Sequence, residues 1–476
     1  MLFNSYAYAI FLPIVFMIYW ILPQKYRWIL LLVSSYYFYM CWNPKYVVLI
    51  LGTTVITYLS ALQIKRKPKY KKVSLAVSII ICMGVLFIFK YYNFALESIS
   101  NFVRLFTIQF SPATLKLLLP VGISFYTFQT MSYVIDVYRG DIEPEKHFGY
   151  YATFISFFPQ LVAGPIERTS NLLPQIKSEK KFDYNQASYG MKLMVWGFFK
   201  KIVIADNFSV YVDRVFGDCT SYKGGALLIA SFLFAIQIYC DFSGYSDIAI
   251  GTAKLLGVNL MKNFDTPYFS ASIKEFWRRW HISLSSWFCD YLYIPLGGSR
   301  CGKLKHYRNI LITFLVSGIW HGANWTYVVW GGIHGIAQII ENIFMKKVKK
   351  QNTEKRHWIH IILVFLFCCM AWVFFRAATI SDAFYILRNS LTGIIHPIRY
   401  IVTGIIDIGL SKKTAVELIF YFIILAGYDY FSLKGDVIEW LGKRPVCLRY
   451  FVYFAMLTVL VCFRASGEAT FVYFQF

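Results

Sequence analysis

The strongest constraint in this sequence is a succession of apolar runs, each near the length that crosses a hydrocarbon layer, separated by short polar or basic stretches. They fall at about 6–22, 28–42, 45–64, 73–90, 117–135, 150–163, 189–205, 225–240, 242–260, 309–320, 324–345, 358–376, 414–432 and 447–464. A helix needs about 20 apolar residues to cross a core of roughly 30 Å, so a chain of 476 residues has room for about ten such spans or more. Hydrophobic residues make up 58% and charged residues 15%, against roughly 45–50% and about 25% in soluble domains. A string of ordinary soluble domains is excluded.

Several runs are too short for one straight span, and Pro120, Gly122, Pro159, Gly164 and Pro165 interrupt others. Broken or re-entrant helices are expected there, because irregular backbone survives at membrane depth only inside protein or beside a water-filled cavity. The first run, Tyr6–Leu22, has no positive residue before it and no small-residue cleavage site after it. It reads as a membrane segment and not as a signal peptide. No internal repeat is visible, which counts against a transporter built from two related halves.

Lys and Arg number 48 against 25 Asp and Glu, a formal charge of +23. The basic residues cluster between apolar runs, so they read as cytoplasmic loops facing anionic lipid, and no nucleic-acid partner is expected. Three such loops are Lys65, Arg66, Lys67, Lys69, Lys71 and Lys72; Arg300, Lys303, Lys305 and Arg308; and Lys346, Lys347, Lys349, Lys350, Lys355 and Arg356. Counting back three spans from the first loop puts the N-terminus outside and the Lys25–Arg27 turn inside. The ten cysteines form no CxxC pair, and most lie within apolar runs (Cys82, Cys368, Cys369, Cys462), so neither a metal site nor a disulfide framework is expected. Aromatic residues, 20% of the chain, suit interfacial belts and packed helices.

Ionisable residues inside such a chain are functional candidates. Twelve residues, 309–320, lie between Arg308 and His321 of Trp320-His321-Gly322, a helical rise of about 18 Å, which puts His321 near mid-depth at the top of a helical hairpin. His334 lies in the next apolar run. Read as one helix, 274–288 places Trp277, Trp280, His281, Leu284, Trp287 and Phe288 on a single face, with Arg278, Arg279, Ser285 and Ser286 elsewhere. An amphipathic interfacial helix explains the arginines but not His281. Cys240-Asp241-Phe242-Ser243-Gly244-Tyr245-Ser246-Asp247 reads equally as a functional cluster or as a polar turn between two helices. Glu167-Arg168 closes a kinked helix end and reads as a local ion pair.

The strings FPQLVAGPIER (158–168), QIYCDFSGYSDIAIG (237–251), EFWRRWHISLSSWFCDYLYIPLGG (275–298) and SGIWHGANWTYVVWGGIHG (317–335), with the N-terminal MLFNSYAYAIFLPIV and the terminal FVYFQF, resemble the membrane-bound O-acyltransferase family, closest to its bacterial alginate O-acetyltransferase branch. The likeness runs nearly end to end, with 377–446 the least similar stretch. It implies an all-α polytopic membrane protein of about eleven transmembrane helices, with re-entrant and interfacial helices around a central funnel. That is a single membrane domain over 1–476, comprising N-terminal helices 1–110, a catalytic core about 117–345 and C-terminal helices 358–476. It implies multi-pass placement in the bacterial cytoplasmic membrane, a catalytic His321 and a second important histidine at His281. Trp320 and Asp241 lie in the same motifs as site-shaping residues, and His334 follows the pattern with a less defined role.

The chemistry that follows is acyl transfer. Coenzyme A carries phosphate charge and cannot cross the hydrocarbon, so an acetyl group must pass from cytoplasmic acetyl-CoA to an extracytoplasmic polysaccharide through a site near mid-depth. His321 suits a general base, since its pKa lies near working pH and burial keeps it neutral. Trp320, Asn324 or backbone amides at the Gly322 turn are candidate oxyanion donors. Basic residues over 274–308, Arg278 and Arg279 among them, are candidates for the donor phosphates. No bound cofactor is expected. The resemblance implies a partner with an extracytoplasmic SGNH-hydrolase-like domain that hands acetyl groups to the polymer. Two other readings stand beside this one: a D-alanyl transferase for teichoic acid with a carrier-protein donor, and a polysaccharide or ion transporter.

Overall fold

A computed structural model describes residues 1–107, 113–162, 164–345, 358–463 and 471–472. The basic run Lys346, Lys347, Lys349, Lys350, Lys355 and Arg356, Ala163 of the first motif, and residues 473–476 of the terminal motif lie outside the described residues. Among the described residues the chain is helical, without strands. Among the described residues, five helical stretches are long and apolar enough to cross a membrane: Pro44–Arg66, Pro68–Arg104, Gly225–Leu255, Trp358–Arg376 and Lys412–Ser432. The chain divides into two compact units, Met1–Met191 with Ile248–Met261, and Lys192–Asp247 with Lys262–Phe476.

In the first unit, helices Val47–Arg66, Lys71–Leu86 and Ile123–Arg139 pack on one another. Thr53, Thr54, Thr57, Ser60 and Ala61 form the buried stripe of Val47–Arg66. Small residues let helix backbones approach closely where water supplies no driving force. Their hydroxyls bond back along the helix, Thr54 Oγ1 to the Ile50 carbonyl at 2.6 Å, and Thr57 also meets the Tyr151 hydroxyl at 2.7 Å. The segment 248–261 is held here by Tyr8 Oη to Thr252 Oγ1 at 2.5 Å and by Trp20 Nε1 donating to the Leu255 carbonyl at 3.1 Å. The expected break near Pro159 is present. Helix Phe148–Ser156 stops at Phe157, whose φ −48° and ψ 107° are non-helical, and Phe158–Leu161 makes a separate turn.

In the second unit, Lys303–His321 and Trp325–Met345 form a tight antiparallel hairpin, and Trp358–Arg376 packs on the second of these helices. Helices Trp358–Arg376, Lys412–Ser432 and Val446–Cys462 turn large apolar side chains outward, Ile359, Val416 and Phe454 among them. That surface suits lipid and not water.

Two sequence expectations change. The runs at 225–240 and 242–260 form one helix, Gly225–Leu255, so Asp241 and Asp247 sit within a helix and not in a turn. The stretch 274–288 is two short helices, Ile273–Arg279 and Ile282–Phe288, broken at Trp280–His281. Every residue of the proposed apolar face is nonetheless buried, and Arg278 is exposed.

Candidate active site

The hairpin positions His321. Gly318 and Gly331 face each other across it. A Cβ on Gly318 would lie 2.2 Å from the Tyr327 carbonyl oxygen, and one on Gly331 would lie 2.3 Å from that of Phe314. Glycine is therefore what lets the two helices touch. His321 is the last residue of its helix and is 3% exposed. Its ring lies 5.0 Å from Trp320, 5.1 Å from Trp330 and 5.4 Å from Phe375, centroid to centroid and close to edge-on for the two tryptophans. Such a wall excludes water and lowers the local dielectric, which strengthens any electrostatic interaction within it.

His281 reaches the same place from a different element. Its ring centroid is 6.4 Å from that of His321 and 6.1 Å from that of Trp320. His281 adopts φ +44°, in the left-handed region that non-glycine residues enter only when the surroundings hold them there. Asn263 supplies that hold. Its carbonyl accepts from Ile282 N–H at 2.9 Å, and its side-chain Oδ1 accepts from Ser283 N–H at 3.3 Å and Ser283 Oγ at 2.9 Å. Oδ1 also lies 3.1 Å from His281 Nδ1, while Nδ2 donates to Ser246 Oγ at 3.2 Å. These bonds break the helix at His281, replacing part of its internal ladder.

His334 belongs to the neighbouring aromatic layer. Trp277 Nε1 donates to its Nδ1 at 3.3 Å, and its ring packs 5.1 Å from Trp330, which thus stands against both His321 and His334. An indole N–H only donates, so Nδ1 of His334 carries the lone pair.

Behind His281 lies a buried ion network. The helix widens to a π-type turn at Phe199–Ala205, and both lysines within it point inward. Lys201 Nζ sits 2.7 Å from Asp241 Oδ1 and 2.7 Å from Asp206 Oδ1, all three side chains being buried. Lys200 Nζ sits 2.7 Å from Asp247 Oδ2 and donates to Ser243 Oγ at 2.8 Å. Adjacent helical residues diverge by about 100°, and six helical residues turn through about 600° (240° net), so neighbouring lysines can match carboxylates at 241 and 247. Asp241 Oδ2 also accepts from Val472 N–H at 2.7 Å, and Tyr239 Oη donates to Asp429 at 2.8 Å. The ring of Phe242, next to Asp241, stands edge-on to His281 at 4.6 Å.

A family profile described as MBOAT, membrane-bound O-acyltransferase, matches residues 145–381. The chain is 39% identical over 388 residues to the probable alginate O-acetylase AlgI of Pseudomonas aeruginosa, covering 80% of this chain and 73% of that protein. It is 33% identical over 536 aligned positions to the peptidoglycan O-acetyltransferase of Helicobacter pylori, covering 100% and 98%. The chain belongs to the membrane-bound O-acyltransferase family. It is an acyltransferase and a multi-pass membrane protein. A teichoic acid D-alanyltransferase of Streptococcus thermophilus is more distant, 30% identical over 257 residues, covering 51% of this chain and 61% of that protein.

Of the family residues read from the sequence, His321, His281 and Trp320 lie together. His334 is one aromatic layer away, and Asp241 stands behind Phe242. Asn324 is committed elsewhere. Its Oδ1 accepts from Thr326 N–H at 3.0 Å, capping the second hairpin helix, and its Nδ2 donates to the Ala378 carbonyl at 3.0 Å. Arg279 pairs with Glu275 at 3.0 Å and bonds Thr266 Oγ1 at 3.1 Å, bracing the loop before Ile273. In the first unit, Glu167 accepts from Asn171 Nδ2 at 2.6 Å and Met261 N–H at 2.5 Å, and burial pushes its carboxyl up to about 7. Sequence reasoning missed Lys200, Lys201, Asn263 and Trp330. The paired lysines inside an apolar run were a visible signal. Asn263 and Trp330 carried none.

Proposed function

We propose that this membrane-bound O-acyltransferase takes an acetyl group from cytoplasmic acetyl-CoA and delivers it for O-acetylation of an extracytoplasmic polysaccharide, with His321 as the base. What carries the reading is the convergence of two buried histidines, from the RRWHISLS and WHG motifs, within 6.4 Å inside an aromatic wall. Neutral imidazole at His321 takes the proton of an acceptor hydroxyl as its oxygen attacks the thioester carbonyl. The C–O bond forms, the C–S bond breaks, and the proton passes on to the leaving thiolate. Backbone amides at Gly322 or the Trp320 indole then face the developing oxyanion, since Asn324 is engaged as a cap. His281 orients the acyl donor beside His321.

The relatives named for alginate and for peptidoglycan O-acetylation favour a cell-envelope polysaccharide as the final acceptor. About eleven helices around a funnel, in the bacterial cytoplasmic membrane with the N-terminus outside, would open the site to both faces. A partner with an extracytoplasmic SGNH-hydrolase-like domain would complete delivery to the polymer. D-alanyl transfer is the second reading, and the lower identity and coverage of that relative place it behind acetyl transfer.

The test is the ester content of the surface polymer, read by NMR, in a deletion strain complemented with wild type or His321→Ala at matched protein level. Acetyl ester should return with wild type alone. Ester restored equally by His321→Ala would refute the role given to His321, and D-alanyl ester would favour the second reading.

A further inference from the structure

Asn263 has one arrangement open to it. The backbone N–H of Ser283 can only donate, so the side-chain atom facing it at 3.3 Å must be oxygen, and Nδ2 therefore faces Ser246 Oγ. That oxygen also lies 3.1 Å from His281 Nδ1. An amide oxygen only accepts, so Nδ1 must carry the hydrogen. His281 is 0% exposed, and burial favours the uncharged ring. A neutral ring protonated at Nδ1 has its lone pair at Nε2.

We propose that Asn263 is a positioning residue that fixes His281 as the Nδ1–H tautomer, so that Nε2 enters the reaction as a proton acceptor and not as a donor to the oxyanion. The proposal rests on the acyl-transfer reading above and refines it. A resting His281 cannot stabilise negative charge on the carbonyl oxygen through Nε2, because no hydrogen is there to give. It can accept a hydrogen bond or a proton from a hydroxyl or from another group in the pocket, with Asn263 holding the opposite edge of the ring. The arrangement is opposite in sense to that of His334, whose Nδ1 faces the donor-only indole of Trp277. Two buried histidines of one aromatic core are thus set in different tautomers by neighbours that allow no other choice.

The same oxygen also holds the turn, so loss of Asn263 alone does not separate tautomer from fold. Asn263→Asp does. A carboxylate keeps acceptors for Ser283 N–H, Ser283 Oγ and His281 Nδ1, and the Ser246 hydroxyl can reverse to donate. Asn263→Ala removes all of these. The experiment uses the purified full-length chain with histidine labelled in both ring nitrogens. The His281 resonances are assigned by their disappearance in His281→Gln, and acetyl-CoA consumption is followed in parallel with an excess of an envelope-polysaccharide oligosaccharide as hydroxyl acceptor. The expected spectrum has a pyrrole-type nitrogen at Nδ1 and a pyridine-type nitrogen at Nε2. The expected rates are a fall of roughly ten- to a hundredfold in Asn263→Ala and retention within about threefold in Asn263→Asp, with the KM for acetyl-CoA changed little in either. A pyridine-type Nδ1 overturns the proposal. So does an Asn263→Asp protein that melts like wild type yet is as slow as Asn263→Ala. If wild type consumes no acetyl-CoA with the oligosaccharide acceptor present, the acetyl-transfer reading fails while the tautomer is still decided by the spectrum.

Discussion

Lys201 offers the sharpest physical test of the second unit. Its ammonium lies 2.7 Å from both Asp206 and Asp241, and its side chain is 1% exposed. At an effective dielectric of about 20, each contact is worth roughly 6 kcal/mol of attraction, offset by several kcal/mol for desolvating each ion. The network therefore adds little net stability as a whole, but removing one partner strands two buried carboxylates. Lys201→Met, similar in length, should cost about 3–5 kcal/mol. The companion variant Lys201→Met/Asp206→Asn/Asp241→Asn removes all three charges and keeps an acceptor for Val472 N–H. It should recover most of the loss. The assay is thermal unfolding of detergent-purified protein together with its steady-state level in the membrane, where a loss of this size lowers abundance several-fold. A Lys201→Met protein that melts with wild type would refute the argument. So would a triple variant no better than the single one, because the penalty would then not be electrostatic.

Two further outcomes follow from the geometry. Gly331→Leu should disrupt the hairpin and abolish transfer, since even a Cβ would sit 2.3 Å from the Phe314 carbonyl oxygen, whereas Gly84→Ala, with nothing within 4 Å, should fold normally; equal melting temperatures for the two would show that the hairpin yields. Glu167, raised from 4.5 to about 7 by burial, binds its proton more tightly in the folded state; its contribution is complete below about 4.5 and is lost as pH rises through about 7, so the melting temperature of wild type should fall relative to Glu167→Gln across that window, and a constant difference would refute it.

The membrane character and most helices were legible because apolar runs of span length leave few alternatives, and the histidines because imidazole is costly in such surroundings. The limits arose where a distant residue overrides a local pattern. Residues 225–260 read as two runs because Asp241 and Asp247 look like a turn, yet Lys200 and Lys201 neutralise them and one helix passes through. Neither lysine lies near the aspartates in sequence, so no local rule pairs them. Asn324 is the opposite case. Asn-Trp-Thr at the start of an apolar run is a helix cap by local rules alone, and the side chain caps as those rules say.

The turn at His281 shows why a motif underdetermines a site. The apolar face of 277–288 matches a continuous helix, and every residue on it is buried. Continuing the helix through 281 would bury the same side chains and avoid a left-handed residue that costs about 1–3 kcal/mol. The break persists because Asn263, 18 residues earlier, offers its backbone carbonyl to Ile282 and its side-chain oxygen to Ser283 and His281. At about 1 kcal/mol for each net hydrogen bond, these four contacts are enough to offset the strain. The backbone at His281 is therefore set from outside the RRWHISLS string. A chain that kept the string but replaced Asn263 with an apolar residue should hold the histidine in sequence and lose its placement beside His321.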